Sequence, residues 1–290
     1  MNLAEIADAG LNPLDSVPLF VGALIIVVLS ALTLPIVARL VRAIAPIDEE
    51  ARVSWRFGHI LILAAVFVAS MEVVPALVPL PREGAWLLVL SSLAMLPSIA
   101  VATGFAWGVD PTRLRALGFR SGHFFTSASA GMVAYVILIL GLGALALAWQ
   151  WILARFGVGE VEQDVITALK KLQGSQRILA VVFGVAVQPF LEEYLFRGFL
   201  QPYFVQHLRA AAGIAVTSAL FAILHGVGAF VPIFALSCLL GYVMMKTHRL
   251  HAVWLIHAVH NGIQFLFLYV IKEPFPHAES SGGLLQLFIP

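Results

Sequence analysis

The strongest constraint on this chain is a succession of long apolar stretches. Eight segments are almost free of charge, at about 18–40, 58–79, 86–108, 125–153, 177–203, 211–227, 229–246 and 252–272. A helix that crosses a bilayer needs roughly 20 consecutive, mostly apolar residues. The sixth segment is short, and Gly226 and Gly228 blur its boundary with the seventh, so seven to nine spans fit the pattern. Apolar residues make up 61% of the chain and charged ones 11%. Ordinary soluble domains carry about 25% charged residues, and a water-soluble fold of this length could not hide so much apolar surface. The expected fold is all-α: a polytopic transmembrane helix bundle of about eight helices, one integral membrane domain over residues 1–290. No soluble domain fits between the spans, and no internal repeat is visible.

Charge narrows the class further. A net charge of +1 gives no electrostatic basis for a nucleic-acid partner. The residues before Pro18 include Glu5, Asp8 and Asp15 but neither Lys nor Arg, which is not the pattern of a cleaved signal peptide. The closing Leu-Phe-Ile-Pro is not a prenylation box. Ten basic residues fall on the odd-numbered loops, among them Arg42, Arg56, Arg120 and Arg249, against six on the opposite side. Cytoplasmic loops carry the excess of Lys and Arg, so this bias places the odd loops in the cytoplasm and both termini outside it, with the site reached from the cytoplasmic side. In the fourth loop, about 154–176, Val161, Val165, Leu169 and Leu172 recur at helical spacing with Glu162, Gln163, Lys170 and Lys171 between them. That is the period of an amphipathic helix resting in the membrane interface. The single cysteine, Cys238, rules out an internal disulfide and reads as a small packing residue in an apolar run.

Charges inside the spans need a reason, because each costs roughly 2.5–3.5 kcal/mol near a helix centre. Glu72, toward the end of the second span, reads as an interfacial or packing residue. The fifth span is different: Gln-Pro-Phe-Leu-Glu-Glu-Tyr-Leu-Phe-Arg places Glu192, Glu193 and Arg197 in one apolar stretch. Glu193 and Arg197 are four apart in the order that favours an ion pair. Glu192, rotated by about 100°, gains no such cation from its own helix. A carboxylate without a cation in a low-dielectric site is suited to act as a general base.

The sixth span adds His225, and the eighth adds His257, His260 and Asn261. Glu192 and His225 stand at similar distances either side of the turn near Leu208. At 1.5 Å per residue both lie about 24–26 Å from it, so they can meet at one depth. His257 and Asn261 share a helix face. A Glu–His–His–Asn group in a bundle core can activate water.

At these residues the chain resembles the superfamily of CAAX prenyl endopeptidases and bacteriocin-processing proteins (CPBP, or Abi), which are intramembrane proteases. The matching motifs are Glu-Glu-x-x-x-Arg at Glu192, Glu193 and Arg197, Phe-x-x-x-His at Phe221 and His225, and His-x-x-x-Asn at His257 and Asn261. They occur in the family's order on the fifth, sixth and eighth spans, within a catalytic core of about 177–265. The resemblance implies that Glu192 polarises the attacking water with help from His225. It implies that His257 and Asn261 steady the oxyanion, and that Glu193 and Arg197 order the site. His260 lies outside the motif, as a candidate supporting residue. The implied partner is a membrane-associated protein or peptide substrate within the lipid bilayer. The Ala-rich, compact chain suggests a bacterial inner membrane. The resemblance favours a mechanism without a cofactor. The rival readings are a zinc protease with Glu192, His225 and His257 as ligands, and a non-enzymatic immunity or transport protein.

Overall fold

The computed structural model describes residues 17–45, 53–107, 115, 117–120, 122–158 and 169–269. Among these residues every regular element is helical. The elements are α1 (Val17–Ile44), α2 (Phe57–Leu77), α3 (Trp86–Trp107), α4 (Phe124–Arg155), α5 (Ser175–Leu208), α6 (Ala210–Ile223), α7 (Gly226–Thr247) and α8 (Leu250–Tyr269). They coincide with the eight apolar segments read from the sequence. Seven are long and apolar enough to cross a membrane, and α6 is the exception. Its 14 residues span about 21 Å at the helical rise, short of a hydrocarbon core of about 30 Å. The chain is an integral membrane protein built as a polytopic helical bundle.

The core gathers around α5, α7 and α8, with α3 and α4 packed against them. α1 lies along α4, and α2 along α3; most of their side chains point outward, as expected of helices with lipid for solvent. Small residues set the closest approaches. A Cβ on Gly213 of α6 would stand 2.4 Å from the Val205 backbone nitrogen, which lets α6 fold back directly onto the end of α5.

The long α5 is not a uniform α-helix. It widens into π-helical turns at Val182–Val187 and Tyr194–Leu200, flanking the α-helical Gln188–Glu193. The Gln188 N–H donates to the Phe183 carbonyl, and Gln201 to Phe196, each five residues back. Pro189 and Pro202 follow immediately. A proline lacks the N–H and its ring crowds the carbonyl one turn back, and a widened turn ahead of it relieves that crowding. Such widened turns recur at functional sites. Here they bracket the two glutamates.

Contacts between loops sort the bundle into two ends. The Val53 N–H donates to Gln206 Oε1 (2.9 Å), Leu250 N–H to the Gly118 carbonyl (3.0 Å) and Arg249 Nε to the Gly122 carbonyl (3.1 Å). The odd-numbered loops therefore share one end. At the other, Ala85 N–H donates to Gln176 Oε1 (3.2 Å), and Trp149 Nε1 to the Val227 carbonyl (2.8 Å). Of the amphipathic fourth loop, Val161, Glu162, Gln163 and Val165 lie outside the described residues. Leu169 and Leu172 are buried while Lys170 and Lys171 are exposed, in keeping with one apolar face. Glu72 is exposed on α2, and Cys238 is half-buried within α7.

Candidate active site

The α-helical segment between the two widened turns presents Glu192 and Glu193 in opposite circumstances. Glu193 is wholly buried, and Arg197 Nε lies 3.1 Å from its Oε2. That approach is an ion contact off the line of the N–H, since neither atom has an aligned hydrogen-bond partner. Arg197 is held from two further directions. Its Nη2 donates to Ser237 Oγ of α7 at 2.7 Å, and its guanidinium carbon stands 4.6 Å from the centre of the Phe221 ring. The other oxygen, Glu193 Oε1, is 2.7 Å from His257 Nδ1. A carboxylate accepts, so Nδ1 carries the proton and Nε2 of His257 is turned toward Glu192, 3.7 Å from its Oε2. Four helices are thus joined through one buried ion pair.

Glu192 is partly open, with 12% of its side chain exposed. The partner it takes from its own helix is neutral: Gln188 Nε2 donates to Glu192 Oε1 at 3.0 Å. Gln188 is in turn fixed from α3, where Ser91 Oγ donates to its Oε1 at 3.2 Å. A cavity of about 500 Å³ adjoins this carboxylate, and Glu192, His225, Asn261, Gln188, Gln264 and Ser91 supply its polar wall. Phe67, Met71, Leu88, Leu169 and Phe265 supply much of the apolar wall. His225 sits where α6 gives way to α7, just before Gly226, whose φ of 78° is one that a Cβ-bearing residue rarely adopts. The His225 Nδ1 lies 2.8 Å from the Phe221 carbonyl; a carbonyl only accepts, so in the neutral ring Nε2 holds the lone pair. The Phe-x-x-x-His spacing thereby acquires a physical meaning. The Phe221 ring lies under Arg197, and its carbonyl selects the tautomer of His225.

The structure brings Glu192, His225 and Asn261 to one cavity and sets His257, 1% exposed, between the two carboxylates. Asn261 Nδ2 donates to the Gly184 carbonyl of α5 at 2.9 Å, so its amide is fixed across the cavity floor. His260 takes its side-chain hydrogen bonds elsewhere, between Tyr135 of α4 and Gln264. Sequence reasoning passed over Gln188, Gln264, Ser91 and Ser237. The spacing of Gln188 and Gln264 to Glu192 and Asn261 (four before, three after) was a usable signal. Ser91 and Ser237 carried none. Among the described residues, no three His, Cys, Asp or Glu side chains converge as a metal site requires.

The cavity lies toward the even-loop end, as Leu87, Leu88, Leu169 and the Leu224–Gly226 turn line it. The basic odd loops are at the opposite end. The expected orientation and the expected cytoplasmic access therefore cannot both hold: with the odd loops in the cytoplasm, the cavity lies on the far side.

These features define a class, a helical membrane protein with a buried acid–histidine–amide centre. Residues 174–263, which contain all three motifs, match the family model described as type II CAAX prenyl endopeptidase Rce1-like. The match supports the CAAX protease family read from the motifs, over that segment of the chain. No curated protein and no solved structure matches the chain significantly.

Proposed function

We propose that this protein is an intramembrane endopeptidase of the CAAX (CPBP) type that hydrolyses a peptide bond in a membrane-associated protein or peptide. One observation carries the reading. Glu192 of α5, His225 of the turn between α6 and α7, and Asn261 of α8 line one cavity within an apolar bundle. A plain membrane scaffold has no use for so costly a convergence.

In this reading a water molecule sits between Glu192 and His225. Glu192 takes one proton as the water oxygen adds to the substrate carbonyl carbon, while His225 Nε2 accepts a hydrogen bond from the other. The carbonyl oxygen becomes an oxyanion, stabilised by preorganised N–H donors; the candidates are the second amide hydrogen of Asn261 and the Nε2–H of His257, the latter when that ring is protonated at both nitrogens. The carbon–nitrogen bond then breaks as Glu192 returns its proton to the leaving nitrogen. Gln188 holds the carboxylate at the working angle, and the Glu193–Arg197 pair holds His257. The setting proposed is a bacterial inner membrane. The test compares new protein and peptide termini in membranes of a strain lacking the protein, complemented with either the native chain or Glu192→Gln. A terminus that appears only with the native chain supports the reading. Identical terminal profiles in both would overturn it.

A further inference from the structure

The peptidase reading makes no use of a buried hydrogen-bonded chain that runs from α4 into the cavity through His260. Tyr135 is 1% exposed, and its hydroxyl lies 3.0 Å from His260 Nδ1. The opposite ring nitrogen, His260 Nε2, lies 2.7 Å from the terminal amide of Gln264. Gln264 is itself 2% exposed, and its amide closes the chain at the cavity wall.

The polarity of this chain follows from counting donors. A half-turn about the last side-chain bond exchanges the oxygen and nitrogen of an amide, so the network decides which end faces the ring. If Gln264 donates to His260 Nε2, Nδ1 must carry the ring proton and donate to Tyr135. Among the described residues the Tyr135 hydroxyl has no other partner, so its own hydrogen would then be buried without an acceptor. In the reverse order the donors left without a protein acceptor are the two Gln264 amide hydrogens, at the cavity wall where water or a ligand can meet them. Tyr135 O–H donates to Nδ1, Nε2–H donates to Gln264 Oε1, and the Gln264 NH2 is directed to the cavity. Burying an unmet donor is the costlier arrangement, so the second order is adopted.

Depth fixes what this donor can meet. Gln264 lies seven residues beyond His257 on α8, or about 10 Å along the axis, in the direction of the even-loop end. An extended peptide advances about 3.3 Å per residue, so this distance corresponds to about three residues of substrate. Apolar Leu88, Leu169 and Phe265 share that part of the wall. We propose that Gln264, set by Tyr135 and His260, donates a hydrogen bond to a backbone oxygen of the substrate about three residues from the bond that is cut, forming a subsite that holds the chain extended between the cavity mouth and Glu192.

The proposal rests on the peptidase reading, and its test separates the two. The probe is an internally quenched peptide, made with and without a prenyl thioether, and cleaved by the full-length protein in lipid nanodiscs. Cleavage by the native protein examines the peptidase reading, and if neither form is cut, both claims fall. With cleavage in hand, Gln264→Leu should raise KM about three- to tenfold, the effect of one neutral hydrogen bond, while kcat changes little. Thioamide replacement of each backbone carbonyl in turn then locates the contact. At one position, two to four residues from the cut, the native protein should lose what the variant has lost, and Gln264→Leu should lose nothing further. Tyr135→Phe, which removes the hydrogen that orients the chain, should raise KM in the same direction by a smaller factor. An unchanged KM in Gln264→Leu overturns the proposal, as does an equal further loss in the variant at every thioamide position. If Gln264→Leu fails to fold, Gln264→Glu replaces the donor with an acceptor at the same size and must show the same position-specific loss.

Discussion

Replacing Arg197 with Met should destabilise the protein far more than it disturbs the helix carrying it. Methionine fills a similar volume and suits a helix interior, so the loss is electrostatic. Glu193 would be left fully buried, without the cation that offsets its desolvation. Removing one partner of a buried pair costs about 3–5 kcal/mol. The Ser237 hydrogen bond and the Phe221 ring contact belong to the same loss and do not add independently. The second half of the argument is the double variant Glu193→Gln with Arg197→Met. A glutamine retains an oxygen that can accept from His257 Nδ1, now 2.7 Å from Glu193 Oε1, and it carries no charge needing compensation. The double variant should therefore recover part of the lost stability while activity stays low. Denaturant titration in detergent micelles, followed by tryptophan fluorescence, of the native protein, both single variants and the double variant gives the coupling energy. A loss under about 1 kcal/mol in Arg197→Met, of the size typical of exposed pairs, would refute the reasoning. So would a double variant less stable than Arg197→Met alone.

Gly213→Ala should prevent proper packing of α6 on α5, because the new Cβ would meet Val205 backbone atoms at 2.4 and 2.5 Å; lower expression and a lower melting temperature check it. Gln188→Leu should reduce kcat about tenfold or less with little change in melting temperature, since it frees the Glu192 carboxylate without emptying the core; a loss as large as that of Glu192→Gln would make Gln188 more than a positioning group. In a Cys238→Ser background, cysteines at Glu192 and His225 should react with a small impermeant thiol reagent from one membrane face only, the one bearing the even loops, while a cysteine at exposed Ile223, at the end of α6, stays protected by lipid; equal protection of all three would mean there is no wet cavity.

Much of this molecule was legible in the chain because lipid leaves few options. Apolar length alone located all eight helices, and the cost of charge in hydrocarbon singled out Glu192, Glu193 and Arg197. The ion pair followed from spacing, and the shared depth of Glu192 and His225 from helix rise. What could not be read depends on helix rotation and on distant partners. The widened turns of α5 reset which faces point inward, although Gln-Pro at 188–189 and again at 201–202 marked where they fall. His257 was expected at the oxyanion, and only packing of α8 against α5 reveals that its ring also bridges two carboxylates. Ser91, Ser237 and Tyr135 are ordinary residues of apolar helices until the tertiary fold puts a polar group opposite each. The side of access was not legible for a related reason. Loop charge orients the bundle, but it does not say which end holds the cavity.

The central claim is that Glu192 is the general base, and the most direct measurement is turnover by purified Glu192→Gln against the native protein, on a peptide the native protein cleaves. The substitution preserves shape and the hydrogen bond from Gln188 while removing the proton acceptor. The account predicts a fall in kcat of at least 10²–10⁴-fold with an unchanged melting temperature. Turnover within a few-fold of native, in folded Glu192→Gln, would contradict it.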